Sequence, residues 1–123
     1  MSAIDAFRAR LQECPLIAII RGVEPGLVEA IGGALIDEGF RIVEVPLNSP
    51  RPFDSIERLA RRFGADALIG GGTVLDPADV SRLADVGGKL VVSPNIDTGV
   101  IRETVVQGLI SAPGYFTPSE AFT

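Results

Sequence analysis

The sequence predicts an α/β domain built on a parallel sheet, and three observations predict it. Five short apolar runs begin near Leu16, Ile42, Ala67, Leu90 and Leu109, about 20 to 26 residues apart, which is the spacing of short βα units. Between and after these runs lie stretches with apolar residues at helical spacing or with helix-start signals. The runs are apolar on both faces, as parallel strands covered by helices are. At 123 residues and 46% hydrophobic content, residues 1–123 suit a single domain with a core of its own.

Each element follows from local chemistry. Ser2 to Glu13 reads as a short opening helix. "PLIAIIRG" (Pro15–Gly22) is continuous, short and bounded by turn residues, so it reads as a buried strand. In "EPGLVEAIGGALIDEGF", Leu27, Val28, Ile31, Leu35 and Ile36 fall at helical spacing, and Gly39 fits the C-terminal cap. "RIVEVPL" is the second strand. Ser49 and Pro50 suit the N-cap and first position of the next helix. Phe53, Ile56, Leu59, Ala60 and Phe63 mark its buried face, and Gly64 ends it. "ALIGGGTV" is the third strand. Asp76 and Pro77 open a helix that stops at Gly87, and "KLVVSPN" is the fourth strand. "DTGVIRETVVQG" is a helix with Val100, Ile101, Val105 and Val106 as its apolar positions. "LISAPGY" is the fifth strand. Thr117, Pro118 and Glu120 then begin a last helix with a capping box.

Composition narrows the function classes. The formal charge is −5 and no basic stripe is present, which argues against nucleic acid or an anionic membrane as a partner. A single cysteine, Cys14, allows no intrachain disulfide and fits a reducing cytoplasm. The first residues carry charges throughout, with no signal segment, and no stretch of about 20 apolar residues could span a bilayer. There is no histidine, so His-based triads and His metal sites are excluded. Asp76 and Asp79 lack a third ligand, and N-capping explains Asp76; we expect no metal and no cofactor. "RGVEPG" is not a dinucleotide-binding turn and "GGGT" is not a phosphate loop; its small residues suit close backbone approach. Two closures remain open: a doubly wound open sheet, or part of an eight-stranded barrel.

Every strand finishes in something polar or geometrically special: Arg21, Glu44, Thr73, Ser93-Pro94 and Pro113-Gly114. In a barrel, sites are assembled at those ends. Strand alternation puts Ile17, Ile19 and Arg21 on one face, and Ile42, Glu44 and Pro46 on another. It groups Ala67, Ile69, Gly71 and Thr73 likewise, and if the three faces coincide, Arg21, Glu44 and Thr73 converge. Glu44 is the strongest candidate. A carboxylate inside an apolar strand is costly, and is tolerated where it is paired or handles protons. Arg21 is its candidate structural partner, and the alternative is that both act on a ligand.

"PLIAIIRG", "VEVPLNSP", "IGGGTVLDP", "VVSPNID" and "APGYFTPSEAF", in this order, resemble the 2-keto-3-deoxy-6-phosphogluconate and 2-dehydro-3-deoxy-6-phosphogalactonate aldolases. "PLNSP" and "TPSEAF" resemble the phosphogalactonate branch more closely. The resemblance implies a parallel (β/α)8 barrel, of which about the first five βα units are present. It implies a cytoplasmic homotrimer without metal or cofactor, whose small-molecule partners are a phosphorylated keto sugar acid and pyruvate. It implies Glu44 as the acid/base carboxylate, Arg21 and Thr73 as substrate-binding residues, and Pro94, Pro113 and Gly114 as residues that shape the pocket. Asn48 stands where the phosphogluconate branch has an arginine. The Schiff-base lysine is expected on a sixth strand beyond Thr123, and the phosphate site after strands seven and eight. Lys89, the only lysine, belongs to the start of the fourth strand, the wrong end for the site. Residues 1–123 are thus expected to be an incomplete barrel domain, inactive alone. Alternatives are a 2-keto-3-deoxy-6-phosphogluconate or 4-hydroxy-2-oxoglutarate aldolase, or an inactive half-barrel.

Overall fold

Helices and strands alternate along the whole chain in the computed structural model, which describes residues Met1–Thr123. They are α1 (Ala3–Glu13), β1 (Ala18–Ile19), α2 (Pro25–Asp37), β2 (Ile42–Pro46), α3 (Pro52–Phe63) and β3 (Leu68–Gly72). They continue with α4 (Pro77–Asp85), β4 (Leu90–Ser93), α5 (Thr98–Val106), β5 (Ile110–Pro113) and α6 (Pro118–Ala121). All strands are parallel and lie in chain order, β1-β2-β3-β4-β5. A doubly wound sheet reverses direction at a switch point. This sheet does not, so its order is that of a barrel wall.

The register aligns Ile19, Glu44, Gly70, Leu90 and Ile110 as successive Cα partners. The two sheet faces carry different cores. Val43, Val45, Ile69 and Val91 pack against Ile56, Leu59, Val80, Leu83 and Val100 of the helical layer. Ile42, Leu68, Leu90 and Ile110 form the other cluster, against Phe7 and Leu11 of α1. Those two lie four residues apart and share a helix face. Glu44 belongs to this second face by alternation with Ile42.

Helix starts follow the sequence signals. The Oδ1 atoms of Asp76 and Asp97 accept the Ala78 and Val100 N–H groups at 2.9 and 3.0 Å. Thr117 and Glu120 close a reciprocal capping box. Gly39 and Gly87 stand in the left-handed region just past α2 and α4, where an L side chain would be strained.

Several expectations are corrected. α3 begins at Pro52, with Arg51 as N-cap, two residues later than Ser49 and Pro50 suggested. The Ser49 hydroxyl is occupied elsewhere, accepting the Gly22 N–H at 3.0 Å. β1 pairs over only two residues. Leu27, Val105 and Val106 are exposed, while Val28 and Val100 are fully enclosed. These helices carry apolar residues on more than one side, so periodicity did not select the buried face. The grouping of Ala67, Ile69 and Gly71 with Glu44 is also wrong. Register pairs Glu44 with Gly70 and Pro46 with Gly72, so Leu68, Gly70 and Gly72 share its face. No helix is long and apolar enough to cross a membrane.

Candidate active site

Because every strand runs the same way, all the strand ends singled out in the sequence lie at one end of the sheet. Arg21 follows β1, Asn48 sits in the turn after β2, and Thr73 immediately follows β3. Pro94 follows β4, and Pro113 ends β5 with Gly114 next. The structure therefore brings the candidate residues to a common rim.

Glu44 stands in the middle of β2, and its carboxyl group reaches Gly72, the last residue of β3, just below that rim. It is 3% exposed and stands among Val43, Val45 and Ile42, which are 0 to 1% exposed. Its Oε2 has no hydrogen-bond partner. Burial pushes its pKa up from an ordinary 4.5 to about 7, with the positive charge of Arg21 acting in the opposite direction. Arg21 itself is exposed and joins no hydrogen bond or ion pair within the chain. The closed Arg21–Glu44 pair that would make Glu44 purely structural is not formed. A half-protonated carboxyl with a free oxygen is suited to giving and taking a proton near neutral pH.

Gly72 makes room for this carboxylate, a role the sequence reading did not assign. A Cβ at position 72 would collide with all three atoms of the Glu44 carboxyl group. Gly70 and Gly114 are similarly tight. A Cβ at 70 would sit 2.6 Å from the Leu90 Cβ, and one at 114 would sit 2.8 Å from the Pro94 carbonyl oxygen. The available signal was a glycine run on the strand beside one bearing a buried acid. Gly72→Ala is expected to displace the Glu44 side chain and to destabilise the fold by about 1–3 kcal/mol, the usual cost of overpacking. Urea denaturation measures the loss, and an unchanged midpoint would show that the carboxyl has another place to go.

Buried serines tie the loops together. Ser49, 7% exposed, holds the Gly22 amide and so joins the loop bearing Arg21 to the loop bearing Asn48. Ser93, 6% exposed, donates its hydroxyl to the Val74 carbonyl at 2.8 Å. Thr73 has φ +53, in the left-handed region that β-branched residues avoid. Strand alternation therefore stops at Gly72 and does not carry over to Thr73.

Lys89 stands at the start of β4, exposed, at the opposite end of the sheet. It lines a cavity of about 340 Å³ with Ser2, Arg10, Gly64 and Gly108, between α1 and the strand starts. None of the rim residues lines that cavity. No three His, Cys, Asp or Glu side chains cluster.

Comparison with known proteins agrees with this geometry. A protein of Rhizobium meliloti (strain 1021), described as "Probable 2-dehydro-3-deoxy-6-phosphogalactonate aldolase", is 55% identical over 109 residues, covering 89% of this chain and 51% of its own. The 2-dehydro-3-deoxy-6-phosphogalactonate aldolase of Escherichia coli (strain K12) is 50% identical over 109 residues, covering 89% and 53%. The chain thus spans about half the length of the curated relatives it matches. Among solved structures, KDPG aldolase from Legionella pneumophila, with pyruvate captured at low pH as a covalent carbinolamine intermediate, superposes with TM-score 0.84. It is 26% identical, and the match covers 93% of this chain and 55% of that one. The family profile described as "Aldolase: KDPG and KHG aldolase" matches residues 7–123. The family match over residues 7–123 and the identities to these relatives agree with the parallel βα wall: the chain belongs to the KDPG and KHG aldolase family.

Proposed function

We propose that the full-length protein carrying this chain is a class I aldolase. It cleaves 2-dehydro-3-deoxy-6-phosphogalactonate to pyruvate and glyceraldehyde 3-phosphate through a lysine Schiff base. The observation that carries this reading is Glu44: an enclosed carboxyl with an unpartnered oxygen and a pKa near 7, set against Gly72 at the end of β3. The relatives' names supply the substrate class. The carbinolamine of the Legionella enzyme supports covalent capture of the ketone.

In the proposed cycle an amine condenses with the C2 ketone and forms an iminium. The C4 hydroxyl loses its proton and the C3–C4 bond breaks. Its electron pair moves toward the iminium nitrogen, giving an enamine and the aldehyde product. The enamine carbon then takes a proton to become a methyl group, and hydrolysis releases pyruvate. Glu44 is the group placed to move protons at these carbons. Arg21 attracts the anionic substrate, and Thr73 binds near the pyruvyl carboxylate. Asn48, Pro94, Pro113 and Gly114 shape the pocket, with Asn48 favouring the galactonate reading. Lys89 lies at the far end, so the reactive amine of this proposal comes from residues outside 1–123. The reading includes a cytoplasmic homotrimer.

Incubating the full-length protein with pyruvate and borohydride, followed by mass spectrometry, tests the covalent step. A trapped lysine adduct is expected, and its absence overturns the class I reading. Turnover is expected to favour the galactonate-configured substrate. Faster cleavage of the gluconate isomer or of 4-hydroxy-2-oxoglutarate reassigns the substrate. Arg21→Ala is expected to raise KM about 10- to 100-fold, the worth of a hydrogen bond to a charged group. Unchanged KM and kcat would remove Arg21 from the site.

A further inference from the structure

We infer that Ser93 is a positioning residue: its buried hydroxyl keeps Thr73 in the left-handed conformation that presents Thr73 at the rim. The role in substrate binding rests on the aldolase reading above; the mechanical role does not.

The inference starts from an outlier. Thr73 is β-branched and has φ +53, a conformation that ordinary L-residues avoid. Such a conformation persists only where its surroundings over-determine it. The two peptide groups flanking the Thr73 Cα are both held. The Gly72 carbonyl accepts the Leu47 N–H at 2.9 Å, and the Val74 N–H donates to the Val92 carbonyl at 3.1 Å. One anchor therefore comes from the chain leaving β2 and the other from β4.

Ser93 supplies the next anchor, and the only one made by a side chain. Its hydroxyl donates to the Val74 carbonyl at 2.8 Å, in a fully buried bond. Val74 itself is 0% exposed, so its carbonyl has no ready substitute in water. Ser93 is in turn fixed by β5, because its own carbonyl accepts the Gly114 N–H at 2.8 Å. Gly114 has no Cβ to push that strand end away, since such an atom would lie 2.8 Å from the Pro94 carbonyl oxygen. The ends of β3, β4 and β5 are thus joined through one serine, and the strained residue sits where the join meets the rim.

The test is a double-mutant cycle in the full-length protein, read by urea denaturation. With Ser93 present, Thr73→Gly removes the strain. It is expected to raise the folding equilibrium constant about 2- to 10-fold, after the loss from glycine's looser unfolded chain. In the Ser93→Ala background one of the three anchors is gone and residue 73 relaxes in part, so less strain is left for glycine to relieve. The gain from Thr73→Gly is then expected to be smaller by about 2- to 5-fold, or to turn into a loss. Equal effects in the two backgrounds would overturn the inference, because Ser93 would then be a packing residue independent of position 73.

Activity gives the second readout. Ser93→Ala is expected to raise KM for the phosphorylated keto acid about tenfold, while kcat and its pH dependence, set by Glu44, change less than threefold. A loss confined to kcat would overturn the assignment to substrate positioning. If the stability coupling is seen but the protein cleaves no keto acid, the Ser93–Thr73 device stands and the aldolase reading fails. If cleavage is seen without the coupling, the reverse holds.

Discussion

Replacing Glu44 with glutamine in the full-length enzyme is expected to lower turnover by about two to four orders of magnitude, the usual worth of a general acid–base. The substitution keeps the side chain's size and removes only its ability to ionise. Shape and packing around Ile42, Val43 and Val45 should survive, so the loss reads chemistry rather than folding. The borohydride-trapped pyruvate adduct is expected to form still, but slowly, because amine attack does not require a carbanion. A wild-type pH profile should show a limb near 7, where burial has brought the carboxyl, and the variant should lose that limb. Turnover within a few-fold of wild type would make Glu44 a structural carboxylate and remove the centre of the proposed mechanism.

The same substitution carries a second large effect, on stability, and its sign follows from linkage. In the folded chain Glu44 titrates near 7, against an ordinary 4.5 when unfolded. Between those pH values the folded chain holds a proton that the unfolded chain has released. Stability from this group is therefore full below about pH 4.5 and declines as pH rises through 7. A shift of that size corresponds to about 3 kcal/mol above pH 7, at 1.36 kcal/mol per pH unit. Glu44→Gln cannot ionise and escapes the decline. It is expected to exceed the parent by just under ~1 kcal/mol at pH 5 and by about 3 kcal/mol at pH 8. Urea titrations at the two pH values measure the difference. A gap that does not widen with pH would show that the buried carboxylate is compensated by a partner.

Much of this was legible in the residues. The alternating pattern emerged from apolar runs separated by helical stretches, several with cap-and-proline starts, and Asp76 and Thr117 do cap their helices; Asp97 caps α5, where no cap had been read. Glu44 stood out because a single charge among Ile42, Val43 and Val45 is costly unless it is paired or handles protons. What failed to show has a common physical cause. Strands buried on both faces carry no alternation, so "ALIGGGTV" contained nothing to say that Leu68, rather than Ile69, shares a face with Glu44. Gly72 looked like any member of a glycine run until a neighbouring strand placed a carboxyl group against it. Ser49 matched a helix-start rule, but its hydroxyl reaches a distant amide instead, a contact that only tertiary structure creates. The left-handed Thr73 is likewise imposed by strands on either side and not by its own propensity.

The pairing of Glu44 with Gly72 has a consequence for how this chemistry is inherited and assembled. Acid and vacancy come from adjacent strands linked by one helix. Both members of the pair therefore come from a single βαβ unit, and no residue of the later strands is needed to set the acid against the vacancy. One methyl group on the neighbouring strand would meet the acid's carboxyl group, so under the proposed mechanism a change at position 72 bears on the proton-handling group as directly as one at position 44.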